Sequence, residues 1–383
     1  MERYGRMAGV FKNDQSAIID MEKTKVRQSN IELLRNISMF MILVIHANFV
    51  SLPKIGYEEL VSNTTSSVFR FLIESLGVVA VNVFVFISGW FGINTRKKSI
   101  LAFIYLILFY LGGGGILFIL LGQASFSLHG LLGVFQLTPN DWFIKSYFVL
   151  MIIAPILDAY TKNVNEITQR YVMISFFLFE AIYGWAAGGR RFFVDGYGPL
   201  HFIGLYITAQ YIHNQIQGGT TPKYIRKLFQ LPKWADMTFF LVLACINTLL
   251  VVTGSMYLGS TEGIRGLVFA YSNPLVILGA LFLLLFFSKL KMPYVKTINW
   301  LGASSFAVYL FHSEPTIRSH FFTPQVQYLY GANNGLACII LIFLFLLIIY
   351  LVSVLIDQLR ILSWDKIWAL TNKQKNTISK DFL

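Results

Sequence analysis

Ten times along its 383 residues the chain settles into an apolar run of about twenty residues, separated by short polar breaks. A run of that length is what a helix needs to cross a bilayer, whose hydrocarbon core is about 30 Å thick. Lipid offers the backbone no water, so each crossing has to close its own hydrogen bonds as a helix. No strand-like alternation competes with this pattern. Charged residues make up 13% of the sequence and hydrophobic ones 56%, where a soluble domain carries about 25% charged. The expected fold class is all-α: a polytopic integral membrane protein of about ten transmembrane helices.

The spans fall near 32–52, 68–93, 99–122, 142–161, 171–188, 197–216, 236–254, 265–288, 298–316 and 335–357. Ten crossings put both termini on one side. With the amino terminus in the cytoplasm, 24 of the 31 Lys and Arg residues lie inside; Lys54, Arg70, Lys145, Arg190, Arg191, Arg265 and Arg318 lie outside. The opposite orientation inverts that ratio, so the positive-inside rule selects cytoplasmic termini. The net charge of +12 is gathered in short clusters beside the spans. Such clusters set topology and meet anionic lipid, so membrane lipids are expected partners and nucleic acid is not.

Residues 1–30 read as a polar cytoplasmic tail, 31–360 as one membrane domain and 361–383 as a cytoplasmic carboxyl-terminal tail. Met21 opens a compact alternative start, and the first span, lacking a small-x-small cleavage site, is expected to be retained. Cys245 and Cys338 sit in apolar runs without metal-ligand spacing and read as structural thiols. The glycine run 112–115 marks a kink or a close helix approach in the third span. The segment 123–141 is the longest outer loop.

Two residues of the first span do not belong in lipid. Arg35 stands at its cytoplasmic edge and His46 deep inside it, eleven positions further on. At 100° per residue both fall on nearly one helical stripe, about 16 Å apart along the axis, and that stripe should face the bundle interior. His312 arrives at a similar depth on the ninth span, Glu74 at a comparable level on the second, and Glu314 two residues beyond His312. A histidine beside a carboxylate builds a general base, and the same pieces build a proton relay. His201 and Glu180 are further intramembrane polar groups with no assigned role. Trp142 and Phe143 read as interfacial anchors, with stacking on a sugar ring as the functional alternative. Arg190 and Arg191, followed by Asp195, read as a solvated outer loop.

At these residues the chain resembles the membrane-bound acyltransferase-3 family of the bacterial polysaccharide O-acetyltransferase type. RNISMFMILVIH (35–46) is similar to its signature of Arg, ten residues and His; GVVAVNVFVFISGWF (77–91) to its run ending in Ser-Gly-aromatic. DWFIKSYFVLMIIAPIL (141–157), INWLGASSFAVYLFHSEP (298–315) and IDQLR (356–360) resemble later segments, in family order. Asn36 stands where many members have Gly, NTRKKSI (94–100) is shorter than the family's Arg-rich segment, and Gly279 stands where related branches have Glu.

The resemblance implies an O-acyltransferase of the bacterial cytoplasmic membrane. It would move an acetyl or similar short acyl group from cytoplasmic acyl-CoA to a hydroxyl of an envelope or exported polysaccharide, or of its lipid-linked precursor. Acetyl-CoA enters as donor substrate, with no tightly bound cofactor and no metal. Arg35, Arg96, Lys97 and Lys98 would meet the CoA phosphates and Ser88 would line the donor path. His46 would act as general base, or as a transient acyl-His nucleophile, and His312 with Glu314 or Glu74 would position the acceptor or stabilise the oxyanion. The rival reading is a proton-coupled transporter or a lipid-linked sugar flippase relaying protons through His46, His312 and Glu74. Transporters of that kind show inverted repeats, and the sequence has no such symmetry. A glycan polymerase would need a larger outer loop.

Overall fold

The computed structural model describes residues 27–120, 122, 141–187, 193–217 and 222–381. Among them, regular structure is helical throughout. The amino-terminal tail with Met21, residues 123–140 of the long loop, and Arg190 and Arg191 lie outside the described residues.

Helix α1 (Ser29–Ile45) widens into a π-helical stretch, His46–Ser51, and short α2 (Tyr57–Ser62) turns the chain back. The next span is made of α3 (Thr64–Gly77) and α4 (Ala80–Phe91). After α5 (Lys97–Ile107) a π-helical Leu108–Gly112 leads into α6 (Gly113–Leu120), so the glycine run coincides with a change of helical pitch. Helices α7 (Trp142–Asn163) and α8 (Glu166–Phe179) follow, the latter ending π-helically over Glu180–Ala186. Then come α9 (Pro199–Gln217), α10 (Lys223–Gln230), α11 (Lys233–Leu258), α12 (Glu262–Val268) and α13 (Pro274–Ser288). The chain closes with α14 (Lys296–Ala303), α15 (Ser305–Ser313), α16 (Pro315–Ile317), a π-helical Arg318–Phe322, α17 (Thr323–Ala332) and α18 (Gly335–Asp381).

Among the described residues, six stretches are long and apolar enough to cross a membrane: Ser29–Ser51, Thr64–Phe91, Lys97–Ile116, Trp142–Asn163, Lys233–Leu258 and Gly335–Thr371. Pro274–Ser288 is a shorter apolar helix. Two other expected spans are broken. The eighth breaks between Val268 and Pro274, because Pro cannot donate to a preceding turn. Asn273 repairs the break: its Nδ2 donates to the Val268 carbonyl at 2.7 Å and its Oδ1 accepts from Leu275 N at 2.9 Å. A break at membrane depth survives only with such replacement partners. The ninth breaks at Ser304, whose hydroxyl accepts from Gln358 at 3.3 Å. The last span continues as helix to Asp381, past the boundary at 360 that charge alone suggests.

Helix α1 is the hub, packing against α3, α4, α13, α14, α15 and α18. Helix α4 is buried against α9 through one glycine: a Cβ on Gly89 would meet the Tyr206 carbonyl and the Ala209 methyl. This approach sets the spacing of the wall that carries the site. Gly89→Leu is therefore expected to cost at least the about 1–3 kcal/mol of an overpacked core. A lowered aggregation temperature of the detergent-solubilised protein, followed by gel filtration, would show it; an unchanged temperature would mean α4 and α9 can separate freely.

Candidate active site

His46 stands at the junction where α1 becomes π-helical, a widening that recurs at functional sites. Arg70, on α3, holds that junction. Its guanidinium donates to Asn48 Oδ1 at 3.0 Å, the Asn48 carbonyl at 2.9 Å and the Pro53 carbonyl at 2.7 Å, and Asn48 Nδ2 returns a bond to the Arg70 carbonyl at 3.0 Å. Gln327 on α17 donates to the Ser51 carbonyl at 2.8 Å. The backbone groups that the π-helical stretch turns away from regular pairing are thus satisfied, and His46 is fixed from both sides.

His312, in the last turn of α15, is fully buried behind it: His46 Nδ1 and His312 Nε2 are 2.7 Å apart. The tautomers follow from the far end of this pair. His312 Nδ1 lies 2.6 Å from the Val308 carbonyl, which can only accept, so Nδ1 carries the proton. In a neutral ring Nε2 then holds a lone pair and must accept from His46 Nδ1–H. His46 is left with a bare Nε2, and His46 lines a cavity of about 510 Å³. The arrangement leaves His46 one defined lone pair, which is what a general base requires, with His312 as the group that orients the ring.

The cavity runs along one face of α1, from Met39 through Ile42 and His46 to Phe49 and Val50. Toward Met39 it is apolar, with Val81, Phe84 and Phe306. Toward Val50 it is charged, with Lys54, Glu74, Asp195, Glu262, Arg265 and Arg318. Glu74 is 7% exposed, and its Oε2 has no hydrogen-bond partner among the described residues. Trp142 and Phe143 also line the cavity.

The structure gathers His46, His312 and Glu74 and distributes the other sequence candidates. Glu314 caps α16: its carboxylate accepts from Ile317 N at 2.7 Å and Thr316 Oγ1 at 3.1 Å, and its side chain lies against Gly114 of α6. Arg35 is one turn beyond Met39, partly exposed and 3.5 Å from Glu32. Ser88 is one turn beyond Phe84; its hydroxyl is 2.9 Å from the Phe84 carbonyl and 3.2 Å from Tyr147 Oη. Arg96, Lys97 and Lys98 are exposed at the start of α5, with the Lys98 ammonium 5.7 Å from the Trp368 ring. Arg318 and Arg265 are among the site residues that sequence reasoning passed over, as are Tyr197 and Tyr271. The signal of the two arginines was present: they are two of the few cations that break the positive-inside rule.

The family model described as an acyltransferase domain, acyltransferase-3, matches residues 28–357. The chain belongs to the acyltransferase-3 family. No curated protein and no solved structure matches it. The protein is thus a multi-pass membrane acyltransferase, and the region matched contains the histidine pair and all the residues that line its cavity.

His312→Ala in this acyltransferase removes the acceptor for His46 Nδ1–H and frees the ring to turn and change tautomer. Its turnover is expected to fall about tenfold or more, but by less than the about 10²–10⁴-fold that loss of a general base costs. Steady-state acyl transfer by the two single variants and by His46→Ala/His312→Ala would check this. A double variant no worse than His46→Ala alone is the expected result, because His312 acts only through His46.

Proposed function

We propose that this acyltransferase carries a short acyl group, acetyl in the first instance, from acyl-CoA to a hydroxyl of an envelope or exported glycan. The observation that supports the reading is the lone pair of His46 Nε2, fixed by the His312–Val308 chain, on a residue lining the cavity.

Charge orientation puts Arg35 at the cytoplasmic surface and the charged end of the cavity outside. The CoA phosphates would meet Arg35, and the basic residues Arg96, Lys97 and Lys98, at the inner surface. The distance from Arg35 to His46, about 16 Å of helix, matches an extended pantetheine arm. The cavity already reaches Met39, one turn from Arg35, so the inner apolar end is where an acyl group would pass.

In the reaction, His46 Nε2 takes the proton of the acceptor hydroxyl as its oxygen attacks the thioester carbonyl. The imidazolium formed keeps its Nδ1–H on His312. Negative charge develops on the carbonyl oxygen, and Arg318, lining the same cavity, supplies the countercharge. The C–S bond then breaks and His46 returns its proton to the departing thiolate. His312, being fully buried and absent from the cavity wall, serves this scheme by holding His46 rather than by touching the acceptor.

Membranes carrying the unaltered protein, incubated with radiolabelled acetyl-CoA and the host's envelope glycan, are expected to leave alkali-labile label in the glycan. His46→Ala should reach the membrane and leave none; label that persists would remove the base assignment. Arg35→Ala should raise the KM for acyl-CoA about tenfold, the scale of one charge-assisted phosphate contact, and leave the acceptor KM alone. An unmoved donor KM would take Arg35 out of the donor site.

A further inference from the structure

A second buried histidine chain runs behind the cavity. Glu180 Oε1 lies 2.6 Å from His201 Nδ1, His201 Nε2 lies 3.0 Å from Asn82 Oδ1, and Asn82 Nδ2 donates to the Tyr271 carbonyl at 2.9 Å. Glu180, His201 and Asn82 are all fully buried. They come from α8, α9 and α4, so three helices meet on one residue of the cavity wall. A carbonyl can only accept, so Asn82 presents its amide nitrogen to Tyr271 and its oxygen to His201, and His201 Nε2 carries a proton. The remaining contact, Nδ1 to Oε1, holds one more proton whichever partner owns it. Both ring nitrogens of His201 and both ends of the Asn82 amide are then used, Glu180 Oε2 is left without a partner among the described residues, and none of Glu180, His201 and Asn82 lines the cavity.

What the chain holds is a set of rings. Tyr271, Trp142 and Tyr197 all line the cavity and pack on one another, with centroids 5.4 Å (Trp142–Tyr271), 4.5 Å (Trp142–Tyr197) and 4.9 Å (Tyr197–Tyr271) apart. Tyr197 is anchored like Tyr271, its carbonyl accepting from Ser146 Oγ at 2.8 Å. The turn that delivers it is strained. Val194 and Asp195 have φ of 47° and 56°, a region β-branched Val rarely enters, and Gly196 (φ 89°) has no room for a Cβ against Tyr271 and Ser272. Asp195 itself lines the cavity, and its carbonyl accepts from Ser272 N at 3.3 Å. A strained turn kept in place by buried hydrogen bonds, with three rings and a carboxylate on a cavity, has the composition of a sugar-binding wall. The rings meet the apolar C–H faces of a pyranose and the carboxylate takes its hydroxyls.

Resting on the acyl-transfer reading above, we infer that Trp142, Tyr197 and Tyr271 with Asp195 form the acceptor-sugar subsite, and that Glu180, His201 and Asn82 are its positioning residues. The chain acts by geometry and not by moving protons. This distinction is testable, because Gln at 180 can still donate to His201 Nδ1 whereas Ala cannot.

The test measures acceptor and donor KM with radiolabelled acetyl-CoA and host envelope polysaccharide for the unaltered protein and for Glu180→Gln, Glu180→Ala, His201→Ala and Trp142→Ala. Expected is an acceptor KM raised about tenfold in His201→Ala and Glu180→Ala, the scale of one lost buried hydrogen bond, with donor KM unmoved. Trp142→Ala, which leaves the buried chain intact, should share that phenotype, and Glu180→Gln should restore the unaltered value. An unchanged acceptor KM in His201→Ala and Trp142→Ala overturns the inference, and a Glu180→Gln that loses turnover replaces positioning with a proton relay. Binding of labelled polysaccharide to proteoliposomes without donor gives a readout independent of transfer. If it depends on His201 and Trp142 while no transfer occurs, the subsite stands and the acyl-transfer reading fails.

Discussion

A polar side chain inside a bilayer has to find its partner within the protein, because lipid offers none and water is distant. Much of the arrangement described above follows from that demand. Arg70, 5% exposed, spends its donors on the turn after α1 and thereby locks the segment that carries His46. Lys289 reaches Asp236 at 2.6 Å and ties the end of α13 to the start of α11. Asp357 takes Arg360 in a two-pronged pair at 2.7 and 2.9 Å within α18. Each pair is worth little as net stability, since desolvation offsets attraction, but each is strongly directional: Arg70 and Lys289 fix which elements face one another, and Asp357 fixes a side chain along α18. The apolar residues allow many packings; these few groups allow one.

The same demand explains how a cavity can exist in the middle of the bundle. The faces of α1 and α4 that border it carry apolar groups toward one end, Met39 and Phe84 among them, and charges appear only where α1 ends. An acyl chain suits the first environment and a hydroxylated, solvated acceptor the second. His46 sits at the change of character because that is where the helix changes pitch, and the pitch changes where Asn48 and Ser51 receive partners from α3 and α17. Local helix geometry, the polarity of the cavity and the position of the base are one feature seen at three scales.

This explains what could be read in advance. The all-helical membrane class was legible because apolar run length is a one-dimensional property of the chain, and the meeting of His46 with His312 was legible because depth in a bilayer is nearly one-dimensional too. The broken helices were not: whether 265–288 stays whole depends on Asn273 finding the Val268 carbonyl, which no run length encodes. Glu314 looked like a partner for His312 two residues away, yet its carboxylate turns to cap Pro315–Ile317, a local bond that outcompetes the distant one. Arg318 and Arg265 were visible only as exceptions to a charge rule, and their place on the cavity needed the turn of α12 and the π-helical Arg318–Phe322.

The two histidine chains show why residue type does not assign role. Each begins at a backbone carbonyl, Val308 in one and Tyr271 in the other, and that carbonyl fixes the direction of the bonds as far as His46 in the first chain and as far as His201 Nε2 in the second. The first chain runs from Val308 through His312 to His46, a cavity-lining residue whose far nitrogen has no partner among the described residues. The second runs from Tyr271 through Asn82 and His201 and is closed by Glu180 in the protein interior. A base needs an open end and a positioning strut needs a closed one. The proposed scheme thus assigns each histidine by where its chain stops, and moving the carboxylate from His201 to His46 would exchange the requirements without changing the composition.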